Sequence, residues 1–303
     1  MPGLGLTLGA VALGIFLNTY LYGIVSYQYM AYANTKFGDP YWIKSIVLVL
    51  FLIDTAHSAS LIHMAWYYMI AHFGDFNTLA DAIWVYPFTA IVTSFVACLT
   101  QLFLGFRIWR LTKNSFIYGF IAVIAVSSLA LGVTCTVKAS SMTSVLQFRT
   151  IDKFMAAWLS TEVAADVIIS TALIHALLRS RTGFQTSDTV INHLMRTAVQ
   201  TGALCGIFST LTLVMFLATP ETQLFGLFGL PMSRLYSTTL MDTLLCRKYL
   251  RGLFGQQREA MKTFSRGGLR LQVLKEIETE LKFDDAAESS QTAYSKGHRS
   301  FEQ

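Results

Sequence analysis

Charge is scarce in this sequence. Of its 303 residues only 14% are Asp, Glu, Lys or Arg, against about 25% in soluble domains, and that scarcity excludes an ordinary soluble enzyme. Hydrophobic residues make up 53% of the chain and the mean hydropathy is +0.49. A compact soluble particle cannot hide that much apolar surface, so the solvent that meets it is lipid. Cysteine is scarce as well. Cys98, Cys135, Cys205 and Cys246 include no C-x-x-C pair, which argues against a zinc or dithiol site and leaves small packing residues within or at the ends of hydrophobic segments. Also missing are an N-x-S/T sequon, a phosphate loop, the Rossmann glycines and H-E-x-x-H. Met1-Pro2-Gly3-Leu4-Gly5 carries no Lys or Arg and no small-residue cleavage motif. The apolar run that follows therefore reads as a first membrane helix and not as a removed signal.

Apolar runs are abundant. Crossing ~30 Å of hydrocarbon at 1.5 Å per residue takes ~20 residues, and seven runs of that order occur, near 5–29, 46–70, 84–106, 116–137, 156–178, 197–218 and 224–246. The expected fold is all-α: an integral membrane bundle of seven transmembrane helices over 1–250, followed by a polar tail, 251–303, that is mostly disordered. The connections are too short to hold a soluble domain. Counted on alternate sides of such a bundle, one side carries fifteen Lys and Arg, from Lys36 to Arg270. The other carries three, Lys138, Arg149 and Lys153. By the positive-inside rule the N-terminus lies outside and the C-terminus in the cytoplasm. The cations gather at helix ends and in the tail, which is a topology signal and not a nucleic-acid signal.

Ionisable residues at bilayer depth are costly, so each is a functional candidate. The second run holds Asp54 and His57 on one face, with His63 turned away from them; the fifth holds Glu162 and Asp166 at i,i+4; the seventh holds Arg234. His57, Asp166 and Arg234 fall about one residue from the middle of their runs, and Asp54 and Glu162 lie within ~8 Å of it. These five form a midplane polar cluster. A lone guanidinium in lipid is unfavourable, so Arg234 is expected to face the interior and pair with Asp54, Glu162 or Asp166. The alternative is purely structural: such a pair only ties helices together. Asn18, Tyr20, Tyr22, Gln28 and Gln101 could line the same space. Trp42, Trp84 and Trp109 stand near run ends as interfacial belt residues, and the Gly5/Gly9 and Gly202/Gly206 pairs suit close helix packing.

Some chemistries are excluded. The third run ends Phe106-Arg107-Ile108-Trp109-Arg110, unlike rhodopsin-type receptors. The seventh has no Lys for a retinal Schiff base and no His pair for zinc. Neither a metal nor any other cofactor is implied.

The second half carries a resemblance. Ala165-Asp166-Val167-Ile168-Ile169, Leu178-Arg179-Ser180-Arg181-Thr182-Gly183-Phe184, Asp188 with Ile191, Asn192, Leu194 and Arg196, Thr201-Gly202, Ser233-Arg234-Leu235-Tyr236, and Leu244 with Arg247-Lys248 together resemble a large seven-helix family of mushroom-forming fungi known only as a domain of unknown function. The match is strongest over 160–250. It implies fold, topology and a fungal membrane setting, and supplies no catalytic residues. In the loop before the sixth run, Thr186-Ser187-Asp188 is expected to cap the helix that follows.

The leading functional reading is a receptor-like sensor that binds a small lipophilic molecule between the helices and engages a cytoplasmic protein partner through its loops and tail. The alternative is a metal-independent membrane enzyme, a terpenoid cyclase or isomerase with Asp54, Glu162 or Asp166 as the acid. A transporter is the third reading, with Pro231 as a helix break but no internal repeat to support it. The lipid bilayer is a partner under all three.

Overall fold

The computed structural model describes residues 5–35, 37–75, 78, 81–179, 185–219 and 222–247. The tail over 251–303 and the Ser180-Arg181-Thr182-Gly183-Phe184 stretch lie outside them. Six long helices, α1 (Ala10–Ala33), α2 (Tyr41–Trp66), α3 (Val85–Thr112), α4 (Ser115–Ser140), α5 (Asp152–Arg179) and α6 (Gln185–Ala218), precede the short α7 (Leu224–Gly229). After a turn at Leu230 and Pro231 the chain is helical again over 232–247, written α8. Gly5–Gly9 and Tyr67–Ala71 are π-helical and Val145–Ile151 is a 3-10 helix.

Five segments, Leu6–Ala33, Tyr41–Ala71, Val85–Thr112, Ser115–Ser140 and Gln147–Arg179, are long and apolar enough to cross a membrane. That is consistent with an integral membrane protein. Many of their residues are β-branched, which disfavours helices in water. In hydrocarbon the backbone must satisfy its own hydrogen bonds, and the helix is the one local way to do so. Threonines follow the same rule: Thr19, Thr55 and Thr134 each donate to the carbonyl four residues back.

Local signals explain the boundaries. Pro40 precedes α2, where a missing N–H costs nothing. The α3–α4 connection is tight: Lys113 adopts φ 56°, its N–H bonds to Trp109 O at 2.7 Å, and Asn114 caps α4 by accepting from Phe116 N at 3.0 Å. At the start of α6 the expectation is corrected, since the helix already begins at Gln185 and residues 186–188 lie in its first turn. Proline accounts for the α7–α8 break. Pro231 has no N–H to donate and its ring does not fit a continuous helix.

Packing closes the elements into a bundle, α1 against α2 and α7, α3 against α2, α4 and α5, and α6 against α5 and α7. Helix α8 is the inner member. No side chain in 232–247 is exposed, and Met232, Leu240, Met241 and Leu244 join Val25, Tyr29, Leu50 and Val96 in the main core cluster. The outward faces of the surrounding helices carry Phe16, Leu52, Val126 and Ile207, as a lipid-facing surface would. At Arg247 α8 is clamped. Arg247 makes a two-pronged contact with Asp39, Nη1 to Oδ1 at 2.6 Å and Nη2 to Oδ2 at 2.8 Å, while Tyr32 OH donates to the same carboxylate at 2.7 Å.

Close approaches rest on single glycines. Of the Gly202/Gly206 pair, only Gly202 does so: a Cβ there would lie 2.2 Å from Ser170 Oγ on α5, whereas Gly206 faces open space. On α1, a Cβ at Gly14 would come 2.8 Å from Gly226 O and 3.1 Å from Leu227 Cα, both backbone atoms of α7. Gly23, on the same helix, has nothing within 4 Å. Gly14→Ala is therefore expected to lower the melting temperature of the detergent-purified protein, at a cost of about 1–3 kcal/mol. Gly23→Ala should leave it equal or higher by helix propensity, and equal effects of the two would contradict this packing.

Candidate functional site

The site begins with Arg234. It stands one turn after Pro231 on the enclosed helix α8, where its side chain is fully buried. A guanidinium so placed needs partners for its whole fork, and α1 and α2 supply them. Nη1 forms an ion pair with Asp54 Oδ1. Nη2 donates to the Asp54 backbone O at 2.7 Å and to Ser58 Oγ at 3.0 Å, and Nε donates to Asn18 Oδ1 at 3.1 Å. The Tyr22 ring lies 5.4 Å from Cζ. Asp54 also accepts from Tyr29 OH at 2.7 Å. Asn18, Tyr22 and Tyr29 fall at i, i+4 and i+11, one face of α1.

His57 extends this network. Its Nδ1 lies 3.3 Å from Arg234 Nη2 and 3.1 Å from Ser233 Oγ. Arginine only donates, so Nδ1 accepts, and the ring hydrogen sits on Nε2 and is donated to Thr89 Oγ1 on α3 at 3.1 Å. His63 lies elsewhere, exposed on the far side of α2, 5.6 Å from the Trp84 ring.

Glu162 and Asp166 form a second network. Asp166 accepts from Tyr236 OH at 2.8 Å and from Gln101 Nε2 at 3.4 Å. Glu162 accepts from Trp158 Nε1 at 2.8 Å, with Ser128 beside it. Room for this comes from Gly132, since a Cβ there would lie 1.8 Å from Ser94 Oγ and 3.2 Å from Trp158 Nε1. The five residues expected in one cluster are thus divided: Arg234 pairs with Asp54 and touches His57, and the two acids of α5 make no ion pair with it. Helix α8 serves both groups, because Ser233 and Arg234 point one way and Tyr236, two residues on, points another. Gln28 belongs to neither and donates to Asp242 at 2.7 Å. Tyr20 is exposed.

Tyr29, Ser58, Thr89 and Trp158 join the networks unannounced by the sequence, whereas Ser233 and Tyr236 stand in it only as part of the Ser233-Arg234-Leu235-Tyr236 resemblance. For Tyr29 a signal was present, since it continues the face defined by Asn18 and Tyr22. The hydroxyl residues carry none that separates them from the many others in the chain.

Between the networks, toward the end of the bundle where α7 and the Val145–Ile151 helix lie, is a cavity of about 90 Å³. Thr89 and Thr93 of α3, Phe148 and Ile151 of the 3-10 helix, Trp158 of α5 and Met232 of α8 are among its walls. Two of these reach the polar networks, Thr89 through His57 and Trp158 through Glu162. All four cysteines are free and buried. Among the described residues no group of three or more His, Cys, Asp or Glu is placed to hold a metal ion.

Residues 162–249 match a family of unknown function (DUF6534). The matched stretch holds Glu162, Asp166, Arg234 and Tyr236, while Asp54, His57 and the α3 wall of the cavity lie outside it. No curated protein and no solved structure matches the chain.

Removing one partner of a buried ion pair strands the other, at a cost of about 3–5 kcal/mol. Arg234→Met alone should therefore destabilise the purified protein by that amount in thermal or denaturant unfolding. Asp54→Leu/Arg234→Met together should recover part of the loss, and a double variant no more stable than the single one would contradict the pairing.

Proposed function

We propose that the protein is a seven-helix membrane sensor, its N-terminus outside and its C-terminus cytoplasmic, that binds a small lipophilic molecule in the cavity between α3, α4, α5 and α7. The seven segments are α1 to α6 and the broken α7–α8 pair. The observation that carries this reading is the position of the cavity. Its wall residue Thr89 is hydrogen-bonded to His57, which contacts Ser233 and Arg234 on the central helix. Occupancy would act on the Arg234–Asp54 pair through two side chains, Thr89 and His57, and the cytoplasmic loops and tail, 251–303 included, would pass the change to a protein partner.

A metal-independent cyclase or isomerase needs a protonated acid in reach of its substrate. One feature favours it: Trp158, a cavity wall residue, donates to Glu162 and so places a carboxyl group directly behind an aromatic surface. No carboxylate lines the cavity itself, however, and Asp54 is held by Arg234 and Tyr29 on the far side of His57. The sensor reading therefore has the better support.

Two measurements test it. In intact cells an N-terminal epitope should be accessible to an impermeant antibody and a C-terminal one only after permeabilisation; the reverse pattern would overturn the topology. Mass spectrometry of extracts from the purified protein should detect a small lipophilic compound that is depleted at least tenfold in Ala90→Leu, which fills the cavity from α3. If a compound is instead turned over by the membranes, and Glu162→Gln stops the turnover, the enzyme reading replaces the sensor.

A further inference from the structure

The cavity wall offers a guest almost nothing but carbon, and none of the residues that line it is Asp, Glu, Lys, Arg or His. Its polar side chains are bonded within the protein. Tyr86 OH donates to Gln223 Oε1 at 2.7 Å, Trp158 Nε1 to Glu162 at 2.8 Å and Thr212 Oγ1 to Phe208 O at 2.8 Å, while Thr89 accepts from His57. The Thr93 hydroxyl oxygen is enclosed and out of a guest's reach, and the Cys135 thiol is a weak donor. A polar group placed inside would lose its water and gain no partner. The cavity is also half-open. It descends along α3 from Tyr86 to Thr93, ~10 Å at 1.5 Å per residue, and whatever part of a guest does not fit stays outside. A hydrocarbon chain meets both conditions, since it needs no polar partner and an open site does not limit its length.

The same elements carry charge just beyond the wall. At this end of the bundle the chain runs through 1–9, 67–84, 138–153 and 219–231, and the Lys and Arg in those stretches are Lys138, Arg149 and Lys153 alone. Each stands beside the cavity lining in sequence: Lys138 precedes Ala139, Arg149 follows Phe148, and Lys153 lies between Ile151 and Met155. Arg149 and Lys153 are exposed, and Lys138 covers the Phe154 ring at 4.7 Å. Among the described residues none of the three makes an ion pair; those present join Arg234 to Asp54 and Arg247 to Asp39. Against Asp152, the one acid of that stretch, they leave an excess of positive charge.

We propose that the cavity takes the hydrocarbon chain of a long-chain anionic amphiphile, tail first, with the anionic group left outside against Arg149 and Lys153. This rests on the ligand-binding reading above and names its ligand class. Chain and head are recognised separately: the wall selects for carbon, and the cations at headgroup level select the sign of the charge.

The test uses the full chain in nanodiscs of zwitterionic lipid and three probes of one chain length with a diazirine at the chain end: a carboxylate, an alcohol and a trimethylammonium. Photolabelling is read by peptide mass spectrometry at Trp158, Leu159 and Met232, buried wall residues, relative to Val167, which is exposed on α5. The carboxylate should label the wall at least tenfold more than the trimethylammonium. Arg149→Gln/Lys153→Gln, two exposed positions, should lower carboxylate labelling about tenfold and leave the alcohol unchanged. Moving the diazirine next to the carboxylate should shift the label from the wall to residues 138–153. Equal wall labelling by the carboxylate and the trimethylammonium, or an unchanged carboxylate signal in the double variant, overturns the anionic head while the cavity remains a site. Wall labelling that does not depend on the position of the diazirine overturns tail-first entry. If no probe loses wall labelling in Ala90→Leu, the ligand-site reading itself fails.

Discussion

The packing of α1 and α2 against α8 is arranged around one guanidinium. Arg234 sits on a helix with no exposed side chain, far from bulk water, and the cost of such a charge is met only by a complete set of acceptors. The set comes from two other helices: a carboxylate, a backbone carbonyl and a hydroxyl from α2, and an amide oxygen from α1. Those contacts fix the rotation of α1 and α2 about their axes. Asn18 and Asp54 must face inward, and Phe16 and Leu52 are thereby turned outward.

A helix enclosed on all sides also permits polar residues that a lipid-facing one would not. Ser233, Arg234 and Tyr236 lie on α8 within four residues and address different neighbours. The two polar networks share this helix, one extending to α1 and α2 and, through Thr89, to α3, the other to α3 and α5. The apolar cavity occupies the gap at one end, where the short α7 replaces a full-length helix and leaves space beside Phe148 and Trp158.

Much of this plan is legible in the residues. Ionisable groups at bilayer depth must turn inward, so counting along each apolar run is enough to bring Asp54 and His57 to the level of Arg234. The division of the acidic residues between two networks is not legible in that way. It depends on the rotation of α5, whose Trp158 and Ser170 lie close against Gly132 of α4 and Gly202 of α6. Helix ends were underestimated for a simple reason. Hydropathy falls at the membrane interface, whereas the backbone continues: α4 runs Ser115–Ser140 and the second span Tyr41–Ala71, each beyond its apolar run.

The interruption at Leu230 and Pro231 has a mechanical consequence. A continuous helix would transmit a push at one end to the other as a rigid rod. Here the short α7 borders the cavity while the longer α8 is held at two places, by Asp54 through Arg234 and by Asp39 through Arg247. With no backbone hydrogen bond from the proline nitrogen, tilt of α7 dissipates at the joint. On the proposed sensor reading, a change at the cavity would therefore reach Arg234 sideways, through Thr89 and His57, and not along the axis of α8.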